Sequence, residues 1–546
     1  MTDTTKDQDQ ANPWAVLITL CLGFFMVLLD TTIVNIGIPS IIDKLHASLS
    51  SILWVLNAYI LVIAVLLITA GRLGDLWGPR TLYVAGLTIF TIASALCGLA
   101  QSPGQLVGAR VIQGLGAAAL MPQTLTMLTY VFPPERRGTA FGIWGAVAGL
   151  AAVCGPTLGG LLVTYASWRW IFYVNVPVGI VTIAMALTLI PDLRPGRRHS
   201  FDLLGVVLAS TALFCFTYAL IEGQHYEWGT VWRFVSIPVL FIAAAVLFMA
   251  FLLWQRRLQS GEPLIPFALF KDRNYALMCG VSTVVAFGML GLFLTFTIYL
   301  QSVHRMSALA AGLTLVPMSL TSVFVAPVAG RLSDRFGGKY ILFGGLLVFA
   351  AGLGVMVQMA DVNTSRWALM PPLVLAGLGM GCTFAPMSTV AMRDVKPQLA
   401  GAASGVLNTV RQLGMVIGSS MVGALLQNRL AHTLTDEARN RSGQLQPPVR
   451  DKFVSGFGAA AKHGLEVGAG QTGYRPKLPP GTPPSLATMI KNLAAQVFEH
   501  GYVRAMHITL TLPVTVLALG ALLCLAIRRE SPTRPKKEAP AEAIAA

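Results

Sequence analysis

The feature that most constrains this chain is a regular recurrence of apolar segments, about 20 residues long, separated by short polar stretches. A helix of that length crosses the ~30 Å hydrocarbon core of a bilayer, so the pattern predicts a bundle of membrane-spanning helices. Only 12% of the residues are charged, which is about half the share usual in soluble domains. We count fourteen such segments and expect an all-α polytopic membrane protein.

The fourteen segments fall into two groups of six with two spans between them. The predicted parts are a cytoplasmic leader at 1–13, a six-helix half at 14–190, two linker spans at 203–254, a second six-helix half at 275–527 that includes a long extracytoplasmic loop at 429–506, and a basic cytoplasmic tail at 528–546. Within the loop, the Gly/Pro-rich stretch 468–484 predicts irregular structure, and 486–498 predicts a short amphipathic helix.

The formal net charge of +15 raises the question of a nucleic-acid partner. Membrane proteins gather Lys and Arg in cytoplasmic loops, and this bias explains the charge without nucleic acid. With the N-terminus inside, 22 Lys and Arg of the short segments lie on the inner side and five lie outside. The five outer residues are Lys44, Arg169, Arg233, Arg305 and Arg366. We therefore expect a multi-pass protein of the cell membrane with both termini in the cytoplasm.

A short motif occurs twice. Gly71–Gly78 reads GRLGDLWG and Gly330–Gly337 reads GRLSDRFG, with five of eight positions identical. Each copy follows an even-numbered span, the second and the tenth, on the predicted cytoplasmic side. Two six-span halves with two extra spans between them give this offset, and such parallel repeats are typical of transporters. The repeat therefore predicts halves that rock against each other.

The residues of this motif predict a gate at the cytoplasmic mouth. Its glycines permit a tight turn between closely packed helix ends, and its Asp and Arg side chains can pair where they are partly desolvated. The gate candidates are Gly71, Arg72, Asp75, Gly78, Arg331, Asp334, Arg335 and Gly337. We expect Asp–Arg pairs that hold the mouth closed in an outward-open state, with an ordinary charged loop as the alternative.

Further motifs follow one another in a fixed order. They are Leu29-Asp30-Thr31-Thr32-Ile33-Val34-Asn35 in the first span, Trp54–Tyr59 in the second, Arg110-Val111-Ile112-Gln113-Gly114 in the fourth, Gly155–Gly160 in the fifth, Trp168–Pro177, and Asn408–Gly414 in the thirteenth. With the repeated motif, they resemble the 14-span drug:proton antiporters of the major facilitator superfamily. The resemblance covers nearly the whole chain and implies the major facilitator fold, proton-driven efflux and a monomer.

Asp30 and Arg110 are the candidates for proton coupling. Asp30 is the only acidic residue that the pattern places well inside a span, where a charge is costly. Its carboxyl can carry a proton or anchor a cationic substrate, and packing against Thr31 or Thr32 is the alternative. Arg110 lies in the motif that the resemblance links to proton coupling. Asp30 is one candidate for the carboxyl that Arg110 meets.

Polar side chains inside spans predict a substrate pocket, which the resemblance places between the halves near the midplane. The candidates are Asn57, Tyr59, Gln113, Gln123, Tyr299, Asn408, Arg411 and Gln412. For each one alone, ordinary packing between helices is the alternative. Arg411 has no deep acidic residue in the second half with which to pair. It either binds an anionic or carbonyl-bearing substrate or donates to backbone carbonyls.

Glycines recur four residues apart in the fifth and thirteenth spans, a pattern that lets helices approach closely. The pairs are Gly145 with Gly149, Gly155 with Gly159, and Gly414 with Gly418. We predict that this seam is where the two halves close. The resemblance identifies Gly155, Pro156, Gly159 and Gly160 as a motif of exporters rather than importers.

Other chemistries lack their sequence signatures. The chain has no phosphate-binding loop of the Gly-x-x-x-x-Gly-Lys type, no His/Cys cluster with metal spacing and no nucleophile elbow. We therefore expect no enzyme, no metal and no cofactor other than the proton as coupling ion. The predicted function is a drug:H+ antiporter that exports antibiotics, dyes or toxic compounds. A dedicated exporter of one metabolite, such as a siderophore or a self-made antibiotic, is the main alternative, and a non-transporting receptor is a weaker one.

Overall fold

The computed structural model describes residues 12–45, 49–133, 136–192, 202–223, 225–261, 263–462 and 483–528. The helices of these residues are α1 Pro13–Leu45, α2 Leu49–Trp77, α3 Pro79–Leu99, α4 Pro103–Val131, α5 Arg137–Tyr165, α6 Trp170–Tyr173, α7 Asn175–Leu189, α8 Leu203–Glu222, α9 Ile237–Arg257, α10 Ala268–Lys271, α11 Arg273–Ile298, α12 Ala308–Phe336, α13 Gly338–Met359, α14 Met370–Met392, α15 Ala400–Arg441, α16 Pro447–Lys462 and α17 Pro484–Cys524. Between α8 and α9, β1 Thr230–Trp232 pairs antiparallel with β2 Val235–Ser236.

Thirteen helices in the described part of the chain are long and apolar enough to span a membrane. The all-α polytopic fold class is thereby confirmed. The thirteen do not include α5, a helix of 29 residues that packs between α1 and α12. With α5 the bundle has the fourteen spans that the sequence predicts, and that count stays a prediction.

Packing divides the helices into two bundles and a separate pair. In the first bundle α4 packs against α2 and α3, and α1 packs against α5. In the second bundle α14 packs against α12 and α13, and α11 packs against α15. The pair α8 and α9 pack on each other, and α8 also contacts α2. The bundles meet where α5 lies against α12 and where α2 lies against α15.

The duplicated motif forms the same turn in both halves. Gly78 follows α2 with φ 91° and ψ 134°, and Gly337 follows α12 with φ 85° and ψ 151°. No other glycine of the described residues has positive φ. A side chain is strongly disfavoured in this conformation, so each turn requires glycine. The sequence repeat is therefore also a repeat of backbone geometry.

The predicted sixth span, 169–190, is one span in the structure, Trp170–Leu189, in which Val174 separates two helical segments. α6 ends at Tyr173, and α7 begins at Asn175. Val174 keeps helical dihedral angles, φ −59° and ψ −28°, and Pro177 has no N–H to donate to the carbonyl of Tyr173, four residues earlier. Asn175 lies beside this point and is 1% exposed.

The predicted outer loop, 429–506, is largely helical where the structure describes it. α15 runs for 42 residues and ends at Arg441. α17 begins at Pro484 and runs for 41 residues through the last span. The short helix predicted at 486–498 is therefore the first part of a much longer one.

These helical extensions share an apolar core. Leu434 of α15, Phe457 of α16 and Val497 of α17 are fully buried in one cluster. Burial of an apolar face supplies most of the stability of such helices, and the polar composition of the segment conceals it. Outside the described residues lie nearly all of the predicted irregular stretch 468–484, the leader at 1–13 and the tail at 528–546.

Candidate functional site

A fully buried cluster of polar side chains lies in the first half. Asp30 of α1 and Arg110 of α4 form an ion pair, in which Arg110 Nη1 donates to Asp30 Oδ2. Gln113 Nε2 donates to Asp30 Oδ1 at 2.9 Å, and Gln113 Oε1 accepts from Arg110 Nη1 at 2.8 Å. None of the three side chains is more than 1% exposed. They form a closed ring of hydrogen bonds sealed from solvent.

Asn175 completes the shell of donors around Asp30. Its Nδ2 donates to Asp30 Oδ1 at 3.2 Å and to Ser94 Oγ of α3 at 3.1 Å. The sequence motifs include Asn175 but do not predict it as a site residue. An amide two residues before Pro177 in an apolar span was the available signal, because such a side chain must find partners inside the bundle.

Arg110 is held on its other side by α2. Its Nε donates to Val55 O at 3.0 Å, and the guanidinium lies 4.0 Å from the centre of the Tyr59 ring. A cation over an aromatic face is attracted by the ring quadrupole. Tyr59 and Gln113 are predicted as pocket residues, and the structure places both in the network around the ion pair.

The two buried charges of this network compensate each other. In the structure, the negative charge of Asp30 compensates the buried charge of Arg110. A proton on Asp30 removes that compensation, and an unpaired buried charge is strongly unfavourable. Asp30 is fully buried and paired with Arg110, so its carboxylate is not open to a cationic substrate in this conformation.

The predicted gate lies where the two halves meet at the ends of α2 and α12. Asp75 Oδ1 accepts from Gly401 N at 3.1 Å, and Asp75 Oδ2 accepts from Ala402 N at 3.0 Å. These amides open α15, so the carboxylate caps a helix of the opposite half and meets the positive end of its dipole. Arg72 Nη1 lies 3.9 Å from Asp75 Oδ2, within the same helix.

Asp334 makes the reciprocal contact at the end of α12. Its Oδ1 accepts from Gly138 N at 2.7 Å, and its Oδ2 accepts from Thr139 N at 3.0 Å and Thr139 Oγ1 at 3.1 Å. Arg331 and Arg335 are exposed, and the Arg335 guanidinium lies 5.1 Å from the ring centre of Phe336. Across the gate, both carboxylates bind helix N-termini of the opposite half, whose first N–H groups lack partners inside their own helix, and Asp75 also pairs with Arg72 of its own motif.

Arg137 is a gate residue that the sequence motifs do not reveal. Its Nη2 donates to Thr129 O at 2.7 Å and its Nε donates to Phe132 O at 3.1 Å, at the end of α4. Its Nη1 lies 3.4 Å from both Met392 O and Arg393 O, at the end of α14. A cation is favourable at helix C-termini. The sequence shows Arg137 only as one more positive charge on the inner side.

Known proteins share this fold and much of this sequence. The family model of the Major Facilitator Superfamily matches residues 20–419. The chain belongs to the major facilitator superfamily. It is 34% identical to the tetracenomycin C resistance and export protein of Streptomyces glaucescens, over 98% of this chain and 96% of that protein. It is 36% identical to multidrug resistance protein Stp of Mycobacterium tuberculosis, over 77% and 76% of the two chains.

The human organic anion transporter MFSD10 has the same fold. Its crystal structure superposes with a TM-score of 0.55 at 13% identity and covers 93% of this chain and 100% of that chain. The family and fold that the sequence motifs predict are confirmed. Members of the superfamily are multi-pass membrane transporters, not enzymes.

Two glycines of the exporter motif, Gly155 and Gly159, pack within their own half. A Cβ on Gly155 would lie 2.0 Å from Thr32 Oγ1, so only glycine fits without displacing α1. Pro156 lies within α5 next to this contact. Four of the paired glycines face a helix of their own half. Gly155 and Gly159 of α5 face α1, and Gly414 and Gly418 of α15 face α11. Their predicted location at the seam between the halves is wrong, because α1 and α11 are their nearest neighbours.

Other glycines of α5 form the seam. A Cβ on Gly149 would lie 3.3 Å from a backbone carbonyl of α12, and one on Gly145 would lie 3.2 Å from Phe384 Cβ of α14. Near the gate the approach is tighter, and a Cβ on Gly138 would lie 2.5 Å from a carbonyl of α12. Gly160 also faces α12, at an ordinary contact distance.

Three further pocket candidates lie on three helices, α4, α2 and α15. Gln123 Nε2 donates to Ala70 O at 2.9 Å and ties α4 to α2. Asn57 is partly buried on α2 and makes no hydrogen bond within the described part of the chain. Gln412 is buried on α15.

Tyr299 lies at the end of the bundle opposite the gate, in a π-helical turn that follows α11. Its hydroxyl donates to Asp361 O at 2.7 Å and contacts His304 Nε2 at 2.8 Å. Burial lowers the pKa of the His304 ring below its ordinary value. Tyr299 therefore closes this end of the second half and does not line a central pocket.

Arg411 reaches from the second half toward the first. Its Nη2 donates to Asn408 Oδ1 at 2.7 Å, and Asn408 Nδ2 donates to Ser404 O at 2.9 Å. The guanidinium lies 5.7 Å from the ring centre of Trp144 of α5, and Trp144 stacks on Phe24 of α1 at 4.3 Å. Of the two expected roles, donation to backbone carbonyls is not observed among the described residues.

Proposed function

We propose that this protein exports small organic molecules in exchange for protons. The observation that carries the proposal is the buried ion pair of Asp30 and Arg110, enclosed by Gln113 and Asn175. A buried pair of this kind is a switch, because loss of one charge leaves the other uncompensated and favours a different arrangement of the helices. Each proton that enters contributes about 2.3 kcal/mol per 100 mV of membrane potential.

A continuous path of contacts supports coupling between this pair and the gate. Thr32, two residues after Asp30 on α1, donates to Ala151 O of α5 at 3.4 Å and packs on Gly155. The N-terminus of the same helix α5 is capped by Asp334 of the opposite half. A change at Asp30 that moves α1 therefore acts on a helix that also forms the gate.

The substrate class rests on the relatives. Multidrug resistance protein Stp supports a broad drug exporter, and the tetracenomycin C resistance and export protein supports a dedicated exporter of one antibiotic. The dedicated exporter is the second candidate, and the similarity to the tetracenomycin C resistance and export protein along nearly the full length of both chains supports it. The protein is proposed to act as a monomer in the plasma membrane with both termini inside, which places the gate at the cytoplasmic mouth. The excess of Lys and Arg on that side supports this orientation.

Dye efflux from cells that lack their own pumps tests the proposal. We expect wild type to export, and both an uncoupler and Asp30→Asn to abolish export at equal expression. Asp43→Asn is the matched control, because Asp43 lies exposed on the same helix. Export that survives Asp30→Asn would show that this carboxyl does not couple protons. Export of a single compound from a wide panel would select the dedicated exporter.

A further inference from the structure

Arg411 and Trp144 face each other from opposite halves, and neither side chain has hydrogen-bond acceptors for all of its N–H groups. Arg411 belongs to α15, and Trp144 belongs to α5. The distance from the guanidinium carbon to the Trp144 ring centre is 5.7 Å.

Arg411 has no carboxylate partner within the described part of the chain. Its hydrogen-bond partner there is the neutral side chain of Asn408. A guanidinium carries five N–H donors, so most of its donors are unused. The contact with the Trp144 ring compensates part of the charge. The ion pair of Arg110 with Asp30 shows how the same chain satisfies an arginine that must stay paired.

Trp144 has a buried donor without an acceptor. Its side chain is 2% exposed, and the indole Nε1–H has no hydrogen-bond partner. A buried donor left unpaired is costly and requires an explanation. The ring is held firmly, because it stacks on Phe24 with an interplanar angle of 20°. The free N–H is therefore part of a rigid group, not of a mobile one.

We propose that Arg411 and Trp144 recognise the acidic group of an apolar organic anion, a carboxylate or an ionised phenol. A carboxylate has two acceptor oxygens, which are the partners that the unused guanidinium donors and the indole N–H lack. The apolar body of the ligand then lies beside Phe24. This inference rests on the proposed function for the statement that the bound anion is the exported substrate.

The position of the two donors explains release as well as binding. Because they belong to different halves, an anion bound to both bridges the halves. When the halves rock apart, the anion keeps at most one of its partners and its affinity falls. Recognition is separate from the Asp30 pair, so substrate and proton do not compete for one carboxylate.

Equilibrium binding to the full-length protein in nanodiscs of neutral lipid tests this site. The probes are anthraquinone-2-carboxylate, the uncharged anthraquinone-2-carboxamide, and ethidium as a cation, followed by fluorescence quenching. We expect wild type to bind the carboxylate at least about tenfold more tightly than the carboxamide, since a charge-assisted hydrogen bond contributes that much or more. Equal affinity for the two, or preference for ethidium, would overturn the proposal without any variant.

Two variants locate the effect. Arg411→Gln should weaken carboxylate binding about 10- to 100-fold and leave carboxamide binding within about threefold. Trp144→Phe keeps an aromatic ring and removes the N–H, and should weaken carboxylate binding about fivefold. The control Arg366→Gln removes an exposed arginine of the same half and should change neither. Unchanged carboxylate affinity in folded Arg411→Gln would refute the assignment.

The binding result and the transport result are independent. Carboxylate binding through Arg411 in a protein whose efflux ignores uncouplers would leave the site intact and refute proton exchange. Proton-driven efflux of ethidium by a protein that shows no preference for the carboxylate would refute the anion site and leave the proposed function intact.

Discussion

The two halves of the bundle can be compared position by position, because the same glycine contact occurs in each. Gly114 of α4 packs on α2, and Gly377 of α14 packs on α12 in the same way. One turn earlier, Arg110 in the first half corresponds to Leu373 in the second, and Leu373 is fully buried. α11, the counterpart of α1, contains no Asp or Glu. The scaffold is shared, and the ion pair of Asp30 and Arg110 lies in the first half.

Unlike the buried ion pair, the carboxylate caps of the gate are present in both halves. Asp75 and Asp334 each cap a helix of the opposite half through two backbone amides. The comparison teaches that the fold itself does not need a buried ion pair, since the second half forms the same packing with apolar side chains. The gate caps occur in both halves, whereas the ion pair of Asp30 and Arg110 occurs in the first half.

The strongest test makes the first half resemble the second. Arg110→Leu should abolish efflux and lower the free energy of unfolding by about 3–5 kcal/mol, because it leaves the Asp30 charge buried and unpaired. The double variant Asp30→Leu/Arg110→Leu should regain most of that stability and still not export. Thermal unfolding of purified protein and efflux assays measure the two effects. Efflux by the double variant would show that the pair has no part in coupling.

Gly155→Ala should be the next most damaging change. The added methyl group would lie 2.0 Å from Thr32 Oγ1, so α1 must move, at a cost of about 1–3 kcal/mol. Gly160→Ala is the control within the same motif, since its Cβ would lie 3.5 Å from the nearest atom of Leu309, and we expect it to behave as wild type. Thermal stability and efflux rate check both, and equal effects would contradict the assigned contact with α1.

Asn175→Leu should slow efflux about tenfold at unchanged expression, because Asp30 loses a donor and a hydrogen bond to a charged group contributes about 1.5–3 kcal/mol. Asn35→Leu removes an exposed amide from α1 and should have little effect. Initial efflux rates at saturating dye distinguish the two variants. A normal rate in Asn175→Leu would remove Asn175 from the site.

The smallest effects should come from the gate caps. Asp75→Ala and Asp334→Ala should each favour opening of the gate by about 1 kcal/mol, the usual cost of losing a helix cap. Asp334→Ala should have the larger effect, because Thr139 Oγ1 is a third donor to that carboxylate. Distances between spin labels on the gate ends of α2 and α15, and of α5 and α12, report the shift. If both distances respond equally to either variant, the gate opens as one unit.

The sequence predicts those residues whose position carries a free-energy cost that can be recognised from the sequence itself. A charge in an apolar span is expensive, which marks Asp30 as a functional candidate, and Arg110 is marked in addition by its motif. The duplicated Gly78 and Gly337 likewise predict a shared turn, because glycine alone tolerates its backbone conformation. For these features the local chemistry suffices.

Features that depend on which helix lies next to which are not visible in the same way. Arg137 looks like an ordinary inner-side charge until the ends of α4 and α14 are brought together around it. The two oxygens of Asp75 find amides more than 300 positions away in the chain. Gly155 shows that a helix must approach closely, but only packing shows that the helix is α1.

α15 begins at the amides that Asp75 caps, carries Arg411 along its length and ends at Arg441, in 42 residues without a proline. At 1.5 Å per residue, such a helix is about 60 Å long, roughly twice the thickness of a hydrocarbon core. When such a helix tilts as a rigid body about a point inside the membrane, its far end moves more than its gate end. A tilt that barely changes distances at the gate displaces the far end by several ångströms, so a fluorophore attached there reports the conformational change from outside the bilayer.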